Sequence, residues 1–167
     1  MKSLKRFWIG IDPGLSGAIA IISNHSIEVH DFPVIKLDVK KGTKVKKKSI
    51  IDIAAYAELL RPFTAVDAIV TVERVHAMPK QGVTSMFRMG EAFGISCAVP
   101  ITLGIPLTYA SPVTWKKKML AGYSVKNKKT SLLVAKESFP SLRHRLARVS
   151  DDGRAEALLI AEYSRTK

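Results

Sequence analysis

The chain has 167 residues, 47% of them apolar, which is enough for a globular domain with a hydrophobic core and excludes a disordered chain. Lys and Arg number 27 against 14 Asp and Glu, and the formal charge of +13 favours nucleic acid or another anionic surface as partner. No apolar run approaches the ~18 residues of a membrane span. The single cysteine, Cys97, excludes an intramolecular disulfide and a cysteine-rich zinc site. We therefore expect one domain over residues 1–167, in a reducing, cytoplasmic compartment and without a membrane partner.

The N-terminal third is predicted to form strands. Residues 7–11 and 17–23 are apolar runs on either side of Asp12-Pro13-Gly14, which is typical of a hairpin, and residues 26–32 alternate in polarity as a third, antiparallel strand. Residues 36–48 hold seven lysines and almost no apolar anchor, so we expect a mobile basic loop. Its lysines either stay solvated or contact phosphate.

Helices and strands alternate in the rest of the chain. Ser49 is placed to cap a helix over 50–61 that stops at Pro62, and residues 68–73 form a buried strand. The later predicted elements are a helix over 84–99 with small residues that permit close packing, a strand over 106–110, a helix from Ser111-Pro112, a helix over 128–138 and a helix over 154–163. This order predicts an α/β domain with a mixed sheet and helices on both faces.

Acidic residues stand at the ends of three predicted elements. Asp12 ends the first strand, and Glu73 ends the buried strand over 68–73. Asp152 and Glu156 open the last helix, four residues apart and therefore on one face. Each acid has an ordinary alternative as a turn residue, a surface charge or a helix cap. Adjacent parallel strands would nevertheless bring Asp12 and Glu73 together, and clustered carboxylates repel one another unless cations lie between them.

The ligand types indicate which metal such a cluster would hold. Carboxylate oxygens without a His or Cys set favour Mg²⁺ or Mn²⁺. Two such ions about 4 Å apart suit in-line attack on a phosphodiester, because one activates the water and the other stabilises the leaving 3′ oxygen. The sequence therefore predicts a metal site, acting on a polyanion, that is formed by Asp12, Glu73, Asp152 and Glu156.

Three segments carry these acids. They are Ile9-Gly10-Ile11-Asp12-Pro13-Gly14 with Ser16-Gly17, then Val72-Glu73-Arg74-Val75-His76 with Met78-Pro79, and then Asp152-Gly153-Arg154-Ala155-Glu156-Ala157-Leu158-Leu159-Ile160-Ala161. In this order and spacing they resemble the RuvC-type Holliday-junction resolvases of the RNase H-like nuclease superfamily, most closely the phage-associated branch. The first motif alone also resembles actin-like ATPases and sugar kinases, but those proteins are much longer and have two such domains.

The resemblance implies an architecture and an assembly. The expected architecture is an RNase H-like fold with a five-stranded mixed sheet flanked by helices. The expected assembly is a homodimer that places two active sites on opposite strands of a four-way junction. By analogy, Met86, Phe87 and Gly90 are candidates for the dimer interface. The implied cofactor is Mg²⁺, two ions per active site, with Mn²⁺ as a substitute and no nucleotide cofactor.

The resemblance also assigns the acids by position. Asp12 and Glu73 match the first two catalytic acids, and Glu156 matches the last, where the commoner residue is Asp. The remaining acid of the family falls on Gly153 of this chain. Its neighbour Asp152 takes that place if the helix start shifts slightly; Asp151 is a further candidate.

Basic and aromatic positions of the family transfer to this chain as DNA-binding candidates. His76 falls where the family often has an aromatic residue that stacks on bases, and the alternative is a loop histidine in water. Lys116 and Lys129 match basic positions near the scissile phosphate, and the alternative is a solvated helix face. The lysines close to them in sequence are Lys117, Lys118 and Lys128.

The function that these residues and the resemblance favour is a Mg²⁺-dependent, structure-selective endonuclease that nicks four-way DNA junctions symmetrically. It would leave 5′-phosphate and 3′-hydroxyl ends in a bacterial cell or a phage-infected bacterial host. One alternative is an RNase H-like nuclease acting on other branched DNA or on RNA–DNA hybrids. Another is a catalytically inactive junction-binding protein of the same fold. A nucleotide-binding ATPase ranks last, because the chain lacks a P-loop and a second domain.

Overall fold

The computed structural model describes residues 6–124 and 129–167. The strands are β1 (Arg6–Asp12), β2 (Ala18–Ser23), β3 (Ile27–Asp31), β4 (Val34–Lys41), β5 (Lys44–Ile51), β6 (Asp67–Glu73) and β7 (Leu107–Ala110). The helices are α1 (Ile53–Leu60), α2 (Val83–Thr102), α3 (Pro112–Met119), α4 (Thr130–Ser138) and α5 (Asp152–Arg165), with 3₁₀ segments at Arg61–Phe63, Pro140–Leu146 and Val149–Asp151. None of the helices described is long and apolar enough to cross a bilayer.

Five strands form one mixed sheet in the order β3-β2-β1-β6-β7. Strands β1, β2 and β3 pair antiparallel, whereas β6 pairs parallel with both β1 and β7. The register sets Ile11 opposite Val72, so the next residue of each strand, Asp12 and Glu73, reaches the same edge of the sheet. The predicted α/β architecture is confirmed in its strands, its order and its mixed pairing.

Helices cover both faces of this sheet, each over its own hydrophobic core. On one face, Tyr56 and Leu60 of α1 and Ala92 of α2 pack with the buried residues of β1 and β6. On the other face, α3, α4 and α5 pack on β2 and β3 around the fully buried Trp115 and Leu158. The central strands are therefore apolar on both sides, which is why they read as continuous apolar runs in the sequence.

Helix α5 lies directly against the backbone of β1. A Cβ atom on Gly10 would come within 2.3 Å of both the carbonyl oxygen of Ala157 and the amide nitrogen of Ala161. Only glycine leaves room for this approach. The first turn of α5 is also tied to β3, because the Arg154 guanidinium donates two hydrogen bonds of 2.6 Å to the carboxylate of Asp31.

The expectation of a mobile loop at residues 36–48 is wrong. Strands β4 and β5 form a two-stranded antiparallel ribbon that is separate from the main sheet. Gly42 (φ 63°) occupies the first position of its two-residue turn, as a Gly-X hairpin requires. The alternation of Ile35, Leu37 and Val39 with polar residues is the strand signal that the density of lysines obscured.

Several helix boundaries also differ from expectation. Helix α1 begins at Ile53 rather than at residue 50, because residues up to Ile51 belong to β5 and the Asp52 side chain, not Ser49, accepts the capping hydrogen bond. Helix α2 continues beyond 99 to Thr102. The predicted start of a helix at 128 lies outside the described residues.

We expect Gly10→Ala to reduce the free energy of unfolding by about 3 kcal/mol, because its methyl group would force α5 away from β1. The matched control is Gly94→Ala, an exposed position in α2 with no atom within 4 Å of an added Cβ. That change should stabilise the protein by about 0.5–1 kcal/mol through helix propensity. Urea denaturation of both variants measures the difference, and equal effects would contradict the proposed close packing.

Candidate metal centre

Three carboxylates meet where β1, β6 and α5 converge. One oxygen atom from each of Asp12, Glu73 and Glu156 lies within 4.8 Å of the others. Asp12 and Glu73 arrive there as the last residues of two parallel neighbouring strands, and Glu156 arrives from the second turn of α5. The sequence predicted this grouping, and the structure brings these three predicted residues together.

The buried Glu73 carboxylate is held by a tryptophan. The indole Nε1–H of Trp115, which is fully buried in α3, donates a 2.8 Å hydrogen bond to Glu73 Oε1. Burial raises the pKa of Glu73, and this hydrogen bond opposes the rise because it favours the charged form. Trp115 therefore fixes one oxygen of Glu73 and leaves the other available to a ligand.

Glu156 has two partners on neighbouring helices. Lys116 Nζ lies 2.9 Å from Glu156 Oε1, and Ser131 Oγ donates to the same oxygen at 3.0 Å. The Lys116 ammonium also lies 5.0 Å from the centre of the Trp115 ring. One lysine and one tryptophan, adjacent in α3, thus contact two different acids of the cluster.

Asp12 is the most strongly perturbed acid of the group. Burial raises its pKa well above the ordinary value, and the charges of Glu156, Glu73 and Asp152 raise it further. Lys116 lowers the pKa but ranks below all of these causes. The cluster as it stands therefore holds more negative charge than its own cation neutralises.

The two candidates for the fourth acid, Asp151 and Asp152, have different surroundings at the first turn of α5. Asp151 is buried and bonded to Arg148 at 2.9 Å, so its charge is already neutralised, and it is not one of the three acids whose oxygens converge. Asp152 is exposed and close enough to raise the pKa of Asp12, but it is not one of the three acids whose oxygens converge. Gly153 has no room for a side chain, because a Cβ there would lie 2.5 Å from the Ser16 carbonyl oxygen.

The donor set fits a hard divalent cation. All three converging groups are carboxylates, and oxygen ligands of this kind select Mg²⁺ or Mn²⁺ over softer metals. Three carboxylates face one ammonium group, that of Lys116, so a divalent cation would relieve the repulsion that adds to burial in raising the pKa of Asp12. The residues that would hold it are Asp12, Glu73 and Glu156, with Asp152 at the exposed side.

The basic residues proposed to bind DNA lie at different distances from the acids. Lys116 lies at the acids, and Lys117, Lys129 and His76 are exposed. Lys118 donates to the Thr166 carbonyl oxygen at 2.6 Å, beyond the far end of α5 and about 20 Å of helix away from Asp152. The structure therefore does not group Lys118 with the acids, and Lys128 lies outside the described residues.

Sequence reasoning missed the residues that orient the acids. Trp115 was expected on this helix but not as a partner of Glu73, and Ser131 was not considered at all. Their partners are 42 and 25 residues away in the chain, so no local pattern indicates the contacts. The one available signal was Trp115 itself, the only buried residue of α3, since a buried Trp N–H usually finds an acceptor.

The fold and the converging acids together define an α/β protein with a five-stranded mixed sheet and a candidate metal centre at the end of its central strands. The sequence matches no protein-family model and no curated protein. Among solved structures, it is similar to RuvC of Thermus thermophilus, with 19% identity, a TM-score of 0.50 and coverage of 95% of each chain. It is also similar to T. thermophilus RuvC in complex with a Holliday junction substrate, with 16% identity, a TM-score of 0.55 and coverage of 98% of this chain and 96% of that one. The RuvC resemblance predicted from the motifs is thus confirmed as a likeness of fold.

In EDTA, Asp12→Asn should melt at a higher temperature than the wild type at neutral pH. The pKa of Asp12 is raised in the folded state, so its ionisation costs stability as pH increases from the ordinary value of 3.8 through the raised value. The variant should lose less stability over that pH interval. Adding Mn²⁺ or Mg²⁺ should stabilise only the wild type, by about 2.7 kcal/mol at one hundred times Kd. Equal metal-induced shifts in both proteins would argue against the centre.

Trp115→Phe should weaken Mn²⁺ binding by about 10–100-fold, because an orienting hydrogen bond to a metal ligand is lost and Glu73 becomes easier to protonate. Trp8→Phe is the matched control, since Trp8 lies on β1 near Arg6 and none of the hydrogen bonds described joins its ring to an acid. Isothermal titration calorimetry with Mn²⁺ compares the two. A similar loss in both variants would mean that Trp115 acts only through packing.

Proposed function

We propose that the chain is a metal-dependent endonuclease of the RuvC type, in its phage-associated branch, that resolves four-way DNA junctions by paired nicks. The observation that carries the proposal is the convergence of Asp12, Glu73 and Glu156 within 4.8 Å on an RNase H-like sheet. The similarity in fold to a RuvC structure solved with a Holliday junction supports this choice of substrate. Mg²⁺ is the proposed cofactor, with two ions per site and Mn²⁺ as a substitute.

The proposed roles follow from the contacts of each acid. When bound, the metal would activate the attacking water and neutralise charge on the leaving 3′ oxygen. Asp12 and Glu73 would be its fixed ligands, since both end rigid strands and Trp115 holds one oxygen of Glu73. Glu156 would exchange its bond to Lys116 for the metal, which frees that ammonium to bind the scissile phosphate.

The surface around the site supports a polyanionic substrate. Lys117, Lys129 and His76 are exposed and stay proposed DNA contacts, the first two to phosphate and His76 by stacking. The proposal leaves Lys118 out because of its bond to the end of α5. Contacts of this kind make affinity strongly dependent on salt and insensitive to sequence.

Symmetric cleavage requires two sites at a fixed separation, so a homodimer belongs to the proposal. On α2, Phe87 is 74% exposed, and Gly90, one turn further along, is exposed with no atom within 4 Å of an added Cβ. An exposed large aromatic residue near a small one is a suitable dimer contact. A cytoplasmic location, in a bacterium or a phage-infected bacterium, follows from a DNA substrate and is proposed with it.

The test is cleavage of a labelled four-way junction with Mg²⁺, beside linear duplex, a flap and an RNA–DNA hybrid. We expect paired nicks in the junction alone, with 5′-phosphate and 3′-hydroxyl ends. Asp12→Asn, Glu73→Gln and Glu156→Gln should each abolish nicking and leave junction binding unchanged or tighter, because each removes a metal ligand and one negative charge.

The alternatives predict other products. A nuclease with a different substrate would cut the hybrid or the flap and leave the junction intact, again in an Asp12-dependent way. An inactive junction-binding protein would bind the junction tightly without cutting in Mg²⁺ or Mn²⁺. Full activity of Asp12→Asn would refute the role assigned to the acids.

A further inference from the structure

The lysine-rich ribbon of β4 and β5 begins next to the candidate metal centre. The Phe32 amide, just before β4, donates a 3.0 Å hydrogen bond to the Gly17 carbonyl oxygen. Gly17 closes the turn that follows Asp12, and Phe32 is buried against Tyr56 at a ring distance of 4.9 Å. The base of the ribbon is therefore fixed to the turn that follows Asp12, the first catalytic acid of the proposed function.

A groove of about 540 Å³ separates the ribbon from the body of the protein. Its walls are the ribbon residues from Lys46 to Ser49 with Val39, and opposite them Leu15, Ser16 and Arg88 of α2. The Ser16 carbonyl oxygen also occupies the space that a side chain on Gly153, at the start of α5, would need. The groove and the acid cluster thus share the turn at Ser16 as a common wall.

None of the ion pairs found among the described residues involves a cation of this groove. In the part of the chain that the structure describes, Lys46, Lys48 and Arg88 take part in none of the ion pairs. All three side chains are exposed. Cations that face each other across a groove without counter-charges attract an anionic occupant.

The strand register places three of the residues that line the groove, Val39, Lys46 and Lys48, on one face of the ribbon. Val39 pairs with Lys46, and Leu37 pairs with Lys48, so these four side chains project from the same face of the ribbon. Leu37 and Val39 remain 43% and 42% exposed. Cations alternating with aliphatic groups suit a sugar–phosphate backbone, whereas a second copy of this chain would bring like charges together.

We propose that this groove binds the phosphate backbone of the duplex arm that adjoins the cleaved strand. The eight residues of each ribbon strand span about 26 Å, the length of about seven to eight base pairs. The ribbon and Arg88 hold the arm from two sides, and the shared turn at Ser16 aligns it with the acids. The assignment of DNA as the occupant rests on the proposed function.

The test compares two pairs of lysines on opposite faces of the ribbon. Lys46→Ala with Lys48→Ala removes two of the groove cations, which share one face of the ribbon. Lys36→Ala with Lys40→Ala removes the same charge from the other face, at two lysines that do not line the groove. Arg88→Ala tests the opposite wall. Affinity for a fluorescent four-way junction is measured over a series of salt concentrations in EDTA, so that the DNA stays intact. Circular dichroism and sedimentation check folding and oligomeric state.

The groove pair should weaken binding by on the order of tenfold and reduce the slope of log K against log salt by about two, and Arg88→Ala should reduce it by about one. The opposite-face pair should change the slope by less than half as much as the groove pair. Equal effects of the two pairs would overturn the proposal, since the lysines would then act as diffuse charge. A changed oligomeric state with unchanged DNA affinity would also overturn it, because the occupant would be a second copy.

Cleavage separates this inference from the proposed function. If the wild type nicks junctions but the two lysine pairs have equal effects, the groove is not the DNA-binding site, and the proposed nuclease function is unaffected. A wild type that nicks no DNA, with affinity lost only in the groove pair, would refute the nuclease and leave the groove standing as a DNA-binding site.

Discussion

The close contact between α5 and β1 is the constraint on which the candidate site depends. Gly10 lets the backbone of α5 lie on the central strand, and Gly153 lets its first turn lie against the Ser16 carbonyl oxygen. Between these two contacts, Glu156 projects toward the ends of β1 and β6. Any larger residue at Gly10 or Gly153 would push the helix outward, and an acid cluster that requires oxygens within 4.8 Å would separate. The packing of one helix on one strand therefore decides whether the carboxylates can share a cation.

The protein concentrates negative charge inside a strongly basic surface. Its net charge of +13 attracts polyanions over the whole molecule, whereas Asp12, Glu73 and Glu156 would repel a phosphate at the point of reaction. In the proposed function, a divalent cation would resolve this conflict, because it would reverse the sign of the local field where a phosphate would bind. In the metal-free protein, burial raises the pKa of Asp12, and the repulsion from the neighbouring acids raises it further. Trp115 and Lys116 keep the other two acids oriented without neutralising the cluster.

The ribbon extends this charge arrangement away from the acids. Lys36, Lys40, Lys46 and Lys48 stand on strands whose base is anchored by buried Phe32 and Ile51, so their charges are held in rows rather than dispersed along a loop. Pairing across the ribbon gives each face its own set of side chains. The turn at Ser16 lines the groove and also lies against the first turn of α5.

The sequence by itself determined the main strands, the acids at their ends and the mixed α/β order, because apolar runs, turn residues and helix caps are local signals. Residues 68–73 could be recognised as a strand without any tertiary information. The same local signals place Asp12 and Glu73 at the ends of two neighbouring strands. Tertiary structure alone decided that Asp151 is neutralised by Arg148, that Trp115 holds Glu73 and that Lys118 faces the end of α5. It also decided that residues 36–48 belong to a ribbon. The pairing of β4 with β5 supplies the backbone hydrogen bonds, and the lysine-rich composition of the segment gives no sign of that pairing. Packing brings these partners together from different secondary-structure elements. No local sequence pattern indicates which residues will meet, so the contacts could not be predicted from the sequence.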